Sequence, residues 1–142
     1  MQLPLWLPLA FGSAFFAALV AIFGKLGAKG VDPTVATMVR SAFMFTVLLA
    51  VAAFSGKISA VNSIGKRDLL YILAAGAAGA LSWICYFWAL RLGKAGSVAV
   101  VDRLSVVMVL LLAAAFLGEK LTVWSGLGGL LMVAGAVLVV LG

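Results

Sequence analysis

Histidine is absent from the chain, cysteine occurs once, at Cys85, and there are only four acidic residues. One thiol excludes an intramolecular disulfide, and without histidine a metal site has almost nothing to build on. Nor is there a plausible nucleophile–base pair or a phosphate-binding glycine loop, so the expectation is no enzyme, no cofactor and no metal. Charge is scarce as well. Only 10% of the residues are charged, against roughly 25% in a soluble domain. The net charge of +6 is spread over short loops and not gathered in a patch, which argues against nucleic acid as a partner. Cys85 sits in an apolar run and is read as a packing residue.

What fills the chain instead is hydrocarbon. Of 142 residues, 66% are hydrophobic, and the mean hydropathy is +1.31. Apolar runs of about 20 residues recur, each long enough to cross a bilayer core of about 30 Å. The expected fold class is therefore all-α integral membrane, with lipid as the first partner. One domain over residues 1–142 holds five transmembrane helices, at about 5–24, 34–54, 69–90, 97–117 and 123–141. The first run lacks the basic start and small-residue cleavage site of a signal peptide and is read as a retained helix. No soluble domain or long tail is expected, so function should reside in the membrane.

Local signals place the helix ends. Pro4 and Pro8 fall in or before the first turn of helix 1, where a missing N–H matters least. Trp6 suits an interface. Pro33 opens helix 2, Asp68 is the expected N-cap of helix 3, and Thr122 that of helix 5. Gly118 can take the left-handed conformation that closes helix 4. In helix 5, Ser125, Gly128, Gly129 and Gly135 leave little bulk. Gly128 and Gly135, seven residues apart, read as a helix–helix or dimer seam.

Three charges lie inside the spans. Asp102 and Arg103 sit side by side in helix 4, and Arg40 lies in helix 2. A central Asp or Arg costs about 2.5–3.5 kcal/mol on insertion scales. Arg40 shares a stripe with Thr34, Thr37 and Ser41. Two readings stand for it: snorkelling along its own stem to the headgroups, or facing the bundle to meet a carboxylate or substrate. Asp102 is too short to snorkel and should be paired, wet or protonated. It is either a structural ion pair that fixes helix 4 against helix 2, with Arg40 the better partner, or a direct substrate or ion site. Trp83, Tyr86, Phe87 and Leu90 follow helical spacing on one face, which suits a cavity wall; an interfacial aromatic belt is the alternative. At 1.5 Å per residue, Arg40, Asp102 and Arg103 lie about 8–9 Å below one surface. With Trp83 and Tyr86 they are expected to share a layer.

Loop charge does not choose an orientation. Lys57, Lys66, Arg67 and Lys120 fall on one side, and Lys25, Lys29, Arg91 and Lys94 on the other. Orientation follows the excess of Lys and Arg in short cytoplasmic loops, and here neither side has one. The chain is therefore expected to insert both ways and to form an antiparallel homodimer of ten helices.

Asp102-Arg103-Leu104-Ser105-Val106-Val107, followed by Phe116-Leu117-Gly118-Glu119-Lys120-Leu121 and a glycine-rich last helix, resembles the EamA-type unit of the drug/metabolite transporter superfamily. Arg40 after Pro33-Thr34-Val35-Ala36-Thr37, and Tyr86-Phe87-Trp88-Ala89-Leu90 before Gly93, fit the same pattern. The closest resemblance is to the short, five-helix bacterial and archaeal members. Most relatives carry two such units in tandem, inverted. The resemblance thus implies that a single-unit chain pairs head to tail to rebuild ten helices. It also implies transport of small metabolites and a place in the cell inner (cytoplasmic) membrane. The related small multidrug exporters use a glutamate in the first helix. Helix 1 here has no acid, so in a cation or multidrug exporter Asp102 would have to take that role.

The sequence reading is therefore a secondary transporter of a small organic metabolite, working by alternating access as a dual-topology homodimer. Substrate-binding or gating residues are expected at Arg40, Asp102, Arg103, Trp83, Tyr86 and Ser105. Two alternatives stand beside it: a non-transporting membrane subunit that stabilises or recruits a partner, and a multidrug or cation exporter.

Overall fold

The computed structural model describes residues 6–27 and 29–142. All the regular elements among these residues are helical: α1 (Trp6–Gly27), α2 (Pro33–Phe54), a 3₁₀ segment (Ile58–Ser63), α3 (Lys66–Leu92), α4 (Ala95–Asp102), α5 (Ser105–Leu112), a π-type turn (Ala113–Leu117) and α6 (Val123–Leu141). Five stretches are long and apolar enough to cross a membrane, with α4, α5 and the π-type turn forming one of them, Ala95–Leu117. The expected spans are thus present. The start of helix 1 at Leu5, and Pro4, lie outside the described residues.

Several ends differ from expectation, each for a local reason. α1 continues through Lys25 to Gly27, where a cation in the last turn complements the helix dipole. α2 begins at Pro33 because the Asp32 side chain caps it, accepting from the Thr34 and Val35 backbone N–H groups at 2.8 and 3.3 Å. Asp68 does not cap α3. The helix already starts at Lys66, and Asp68 falls in its first turn, where its charge still favours the exposed N–H groups. With 27 residues, α3 is about 40 Å long and outreaches a hydrocarbon core of about 30 Å. Lys66, Arg67 and Arg91 therefore extend to headgroup level.

The largest departure is in the fourth span, expected as one continuous helix. It is interrupted directly after Asp102. Arg103 and Leu104 have ψ angles of −12° and −16°. The Leu104, Val106 and Val107 N–H groups bond three residues back, to Val101, Arg103 and Leu104, so the chain tightens into a 3₁₀ turn before α5 resumes. Five residues of π-type winding follow α5 and end at Gly118, in the left-handed conformation (φ 69°) as expected. The Ala113 carbonyl accepts from both the Gly118 and Glu119 N–H groups, which closes the helix end. Thr122 then starts α6. Its hydroxyl accepts from the Ser125 N–H at 3.1 Å, and the Ser125 hydroxyl accepts from the Thr122 N–H at 2.9 Å. Ser125 thus takes the place of the usual Glu or Gln in a reciprocal capping box.

The chain divides into two compact regions. The central region is Lys25–Arg91, holding α2 and α3; the terminal region combines α1 up to Gly24 with Leu92–Gly142. In the terminal region α6 packs on α4 and α5. Gly129 lies at that contact. It is buried, and a Cβ there would lie 3.8–3.9 Å from the Val107 and Leu110 side chains. Cys85, expected to pack, is exposed. It points away from the Trp83–Phe87–Leu90 face of α3, two residues being about half a turn apart.

Candidate functional site

In the central region, α2 and α3 carry matched stripes. On α2 these are Pro33, Thr37 and Arg40; on α3 they are Leu90, Phe87 and Trp83. Pro33 and Leu90 are fully buried, Thr37 and Phe87 nearly so, and Arg40 and Trp83 are half-buried. Each triplet steps four then three residues, or three then four, which keeps it on one helix face. The Thr37 hydroxyl is satisfied locally, donating to the Pro33 carbonyl at 2.8 Å. It is therefore not a free polar group in the stripe.

Arg40 lies with its guanidinium carbon 3.5 Å from the Trp83 ring centroid and 6.0 Å from that of Phe87. Trp83 is about one turn deeper along α3 than Phe87. Of the two readings of Arg40, the contact agrees with a side chain that faces the neighbouring helix, meeting an aromatic ring where a carboxylate or substrate was expected. Stacking of this kind, partly desolvated, contributes about 1–2 kcal/mol. The rings hold one another as well. Trp83 and Tyr86 meet edge to face at 5.5 Å, and Phe87 lies 6.2 Å from Trp83 and 6.5 Å from Tyr86. Trp83, Tyr86 and Phe87 thus form a one-sided aromatic wall, with the Arg40 cation on Trp83 and Phe87.

In the terminal region, Asp102 is half-buried at the last position of α4, while Arg103 and Ser105 are exposed. The two charges point apart, as neighbours about 100° apart on a helix must. Asp102 is the eighth residue of α4, about 10 Å along from its start. The carboxylate therefore sits at the place where regular winding stops. Discontinuous helices are a usual setting of ion and substrate sites in secondary transporters; here the N–H groups at the break stay bonded to carbonyls three or four residues back.

The residues expected to share a layer thus fall into two groups. Arg40, Trp83 and Tyr86 are brought together in the central region, and Asp102, Arg103 and Ser105 belong to the terminal region. The small residues of α6 also divide. Ser125 is used in the capping box and Gly129 packs on α5. Gly128 and Gly135 have open space where a Cβ would stand, with no described atom within 4 Å. The sequence reading missed Asp32, although Asp-Pro-Thr at a helix start is a capping signal. It also missed the bond from the Lys25 ammonium to the Leu90 carbonyl, which no local pattern announces.

Residues 4–141 match the EamA-like transporter family. The chain is 40% identical over 126 residues, 89% of each chain, to a protein of Sinorhizobium sp described as "Uncharacterized transporter in cobO 3'region". No solved structure matches the chain. Five apolar spans together with a family match over nearly the whole length lead to one statement: the chain is a multi-pass membrane protein and belongs to the EamA-like transporter family.

Proposed function

We propose that the protein is a secondary transporter of a small organic metabolite in the cell inner membrane, assembled from two copies in opposite orientation. The observation that carries the reading is the fourth span, interrupted at membrane depth directly after the half-buried Asp102. An intact packing helix has no need of such a break, whereas a helix that gates gains from it a place where φ and ψ can change.

Asp102 is the coupling or gating carboxylate in this reading. Arg103 and Ser105 flank the break on its exposed side. Arg40, held on Trp83, offers a positive charge to an anionic or zwitterionic substrate, and Tyr86 completes the aromatic wall. Two inverted copies supply one charged layer near each membrane surface, and these layers open in turn. The balanced loop cations, four on each side, favour neither insertion and so support the opposed pair. Gly128 and Gly135, open in the single chain, are the seam of that pair.

The test is substrate flux in proteoliposomes, found by screening metabolites against the purified protein. Asp102→Asn and Arg40→Ala should each abolish most of it. Flux unaltered in both would remove the charged residues from the mechanism. Reporter fusions after Gly142 should label both sides of the membrane; a single fixed side with no self-crosslinking would instead favour a non-transporting subunit.

A further inference from the structure

Three cations gather at one end of the central region. Lys25 lies in the last turn of α1, Lys29 and Gly30 in the loop that follows, and Arg91 in the last turn of α3. Together with Leu90 they line a cavity of about 280 Å³. No acid lines it. The nearby Asp32 carboxylate is engaged on the Thr34 and Val35 N–H groups. Gly30 has φ 82°, a left-handed turn that folds the loop back.

Cations beside helix C-termini often serve only to satisfy the last carbonyls. Lys25 does so, donating to the Leu90 carbonyl. That bond fixes its ammonium at the cavity wall. Lys29 and Arg91 remain as further cations, Arg91 with its guanidinium carbon 5.7 Å from the Trp88 ring centroid. The Leu90 carbonyl accounts for neither Lys29 nor Arg91 at the same space.

We infer that this cavity binds a phosphate ester, at the headgroup level of the membrane and outside the transport route. Its volume is at the low end of ligand pockets, roughly 300 Å³ upward. That admits a phosphoryl group and a small ester substituent, and it leaves acyl tails outside. The guanidinium of Arg91 suits the planar, two-point recognition of phosphate oxygens, and the lysines act as point charges. Helix ends at the interface are where basic pockets meet anionic headgroups. The same chemistry fits a soluble phosphate monoester approaching from water. The inference does not depend on the transport reading.

The two sources are separated by two probes on the purified full-length protein. One is radiolabelled glycerol 3-phosphate in equilibrium binding. The other is phosphatidylglycerol, with phosphatidylcholine as comparison, in native mass spectrometry of the protein released from neutral detergent. Saturable binding is expected in at least one arm, with phosphatidylglycerol retained over phosphatidylcholine if the source is lipid. Lys29→Gln with Arg91→Gln should weaken it at least ~10-fold, and Lys29→Gln alone, an exposed loop change that leaves the fold intact, by a smaller factor. Lys57→Gln with Lys66→Gln, at the other ends of α2 and α3, should leave it unchanged. The inference is overturned by no saturable binding in either arm, by equal retention of both lipids with no glycerol 3-phosphate binding, or by equal losses in the two double variants.

Discussion

The chain keeps formal charge inside its spans in two different ways. In the central region Arg40 lies on Trp83 at 3.5 Å, and α2 runs unbroken from Pro33 to Phe54. In the terminal region Asp102 is followed at once by a 3₁₀ turn, and the span continues only from Ser105. The difference is chemical. A guanidinium is planar, weakly hydrated and long-stemmed, so aromatic faces can replace part of its water. A short carboxylate has no such substitute. It needs donors, and regular helix offers none in its interior because every N–H is already used. At Asp102 the backbone leaves regular helix directly after the carboxylate, and the N–H groups that follow bond to carbonyls three or four residues back.

The comparison can be broken by experiment. Asp102→Asn keeps shape and removes charge; if the break serves that charge, flux should fall by at least ~100-fold, measured in proteoliposomes at unchanged protein yield. Arg40→Ala should cost flux about 10–100-fold, and Arg40→Lys should recover only part of it, because an ammonium does not lie flat on a ring. Equal recovery by lysine would show that only charge matters there and erase the contrast.

Smaller effects probe the scaffolds around the two charges. Gly128→Leu and Gly129→Leu make an informative pair. At Gly129 the added bulk meets Val107 and Leu110 and should cost about 1–3 kcal/mol of stability within the chain. At Gly128 it meets open space, so thermal stability of the monomer should hold while crosslinked dimer is lost. Gly118→Ala forces a side chain into the left-handed region and should cost about 1 kcal/mol, seen as a lower Tm. Thr122→Ala removes the α6 cap for about 1 kcal/mol or less, the smallest change expected.

How much of this was legible follows from the type of signal. Spans are written in long apolar runs, so their number and rough limits could be read directly. Gly118 and Thr122 are local punctuation and stand where the sequence places them. Asp68 misled because an acid in a first turn and an acid at a cap look alike in sequence; backbone conformation alone separates them. The break after Asp102 is not announced, since Val101-Asp102-Arg103-Leu104-Ser105 contains neither glycine nor proline, the residues that usually mark an interruption. Arg40 could be placed in one layer with Trp83 and Tyr86 by counting from the helix ends, but Asp102 was expected as its partner; that the guanidinium lies on Trp83, 43 positions away by residue number, only packing shows. The one-sided spacing of Trp83, Tyr86 and Phe87 did mark the surface on which it rests.

The two irregular turns that flank α5 are both right-handed but depart from α-helical winding in opposite directions. The 3₁₀ turn is tighter than an α-helix, at about three residues per turn, and the π-type turn is looser. Excess twist at one end of the eight-residue segment is offset by a deficit at the other. A trade of twist between the two ends would roll α5 about its own axis while the chain entering at Asp102 and leaving at Gly118 stays in place. Side chains of α5 could then change the face they present without any span shifting across the bilayer.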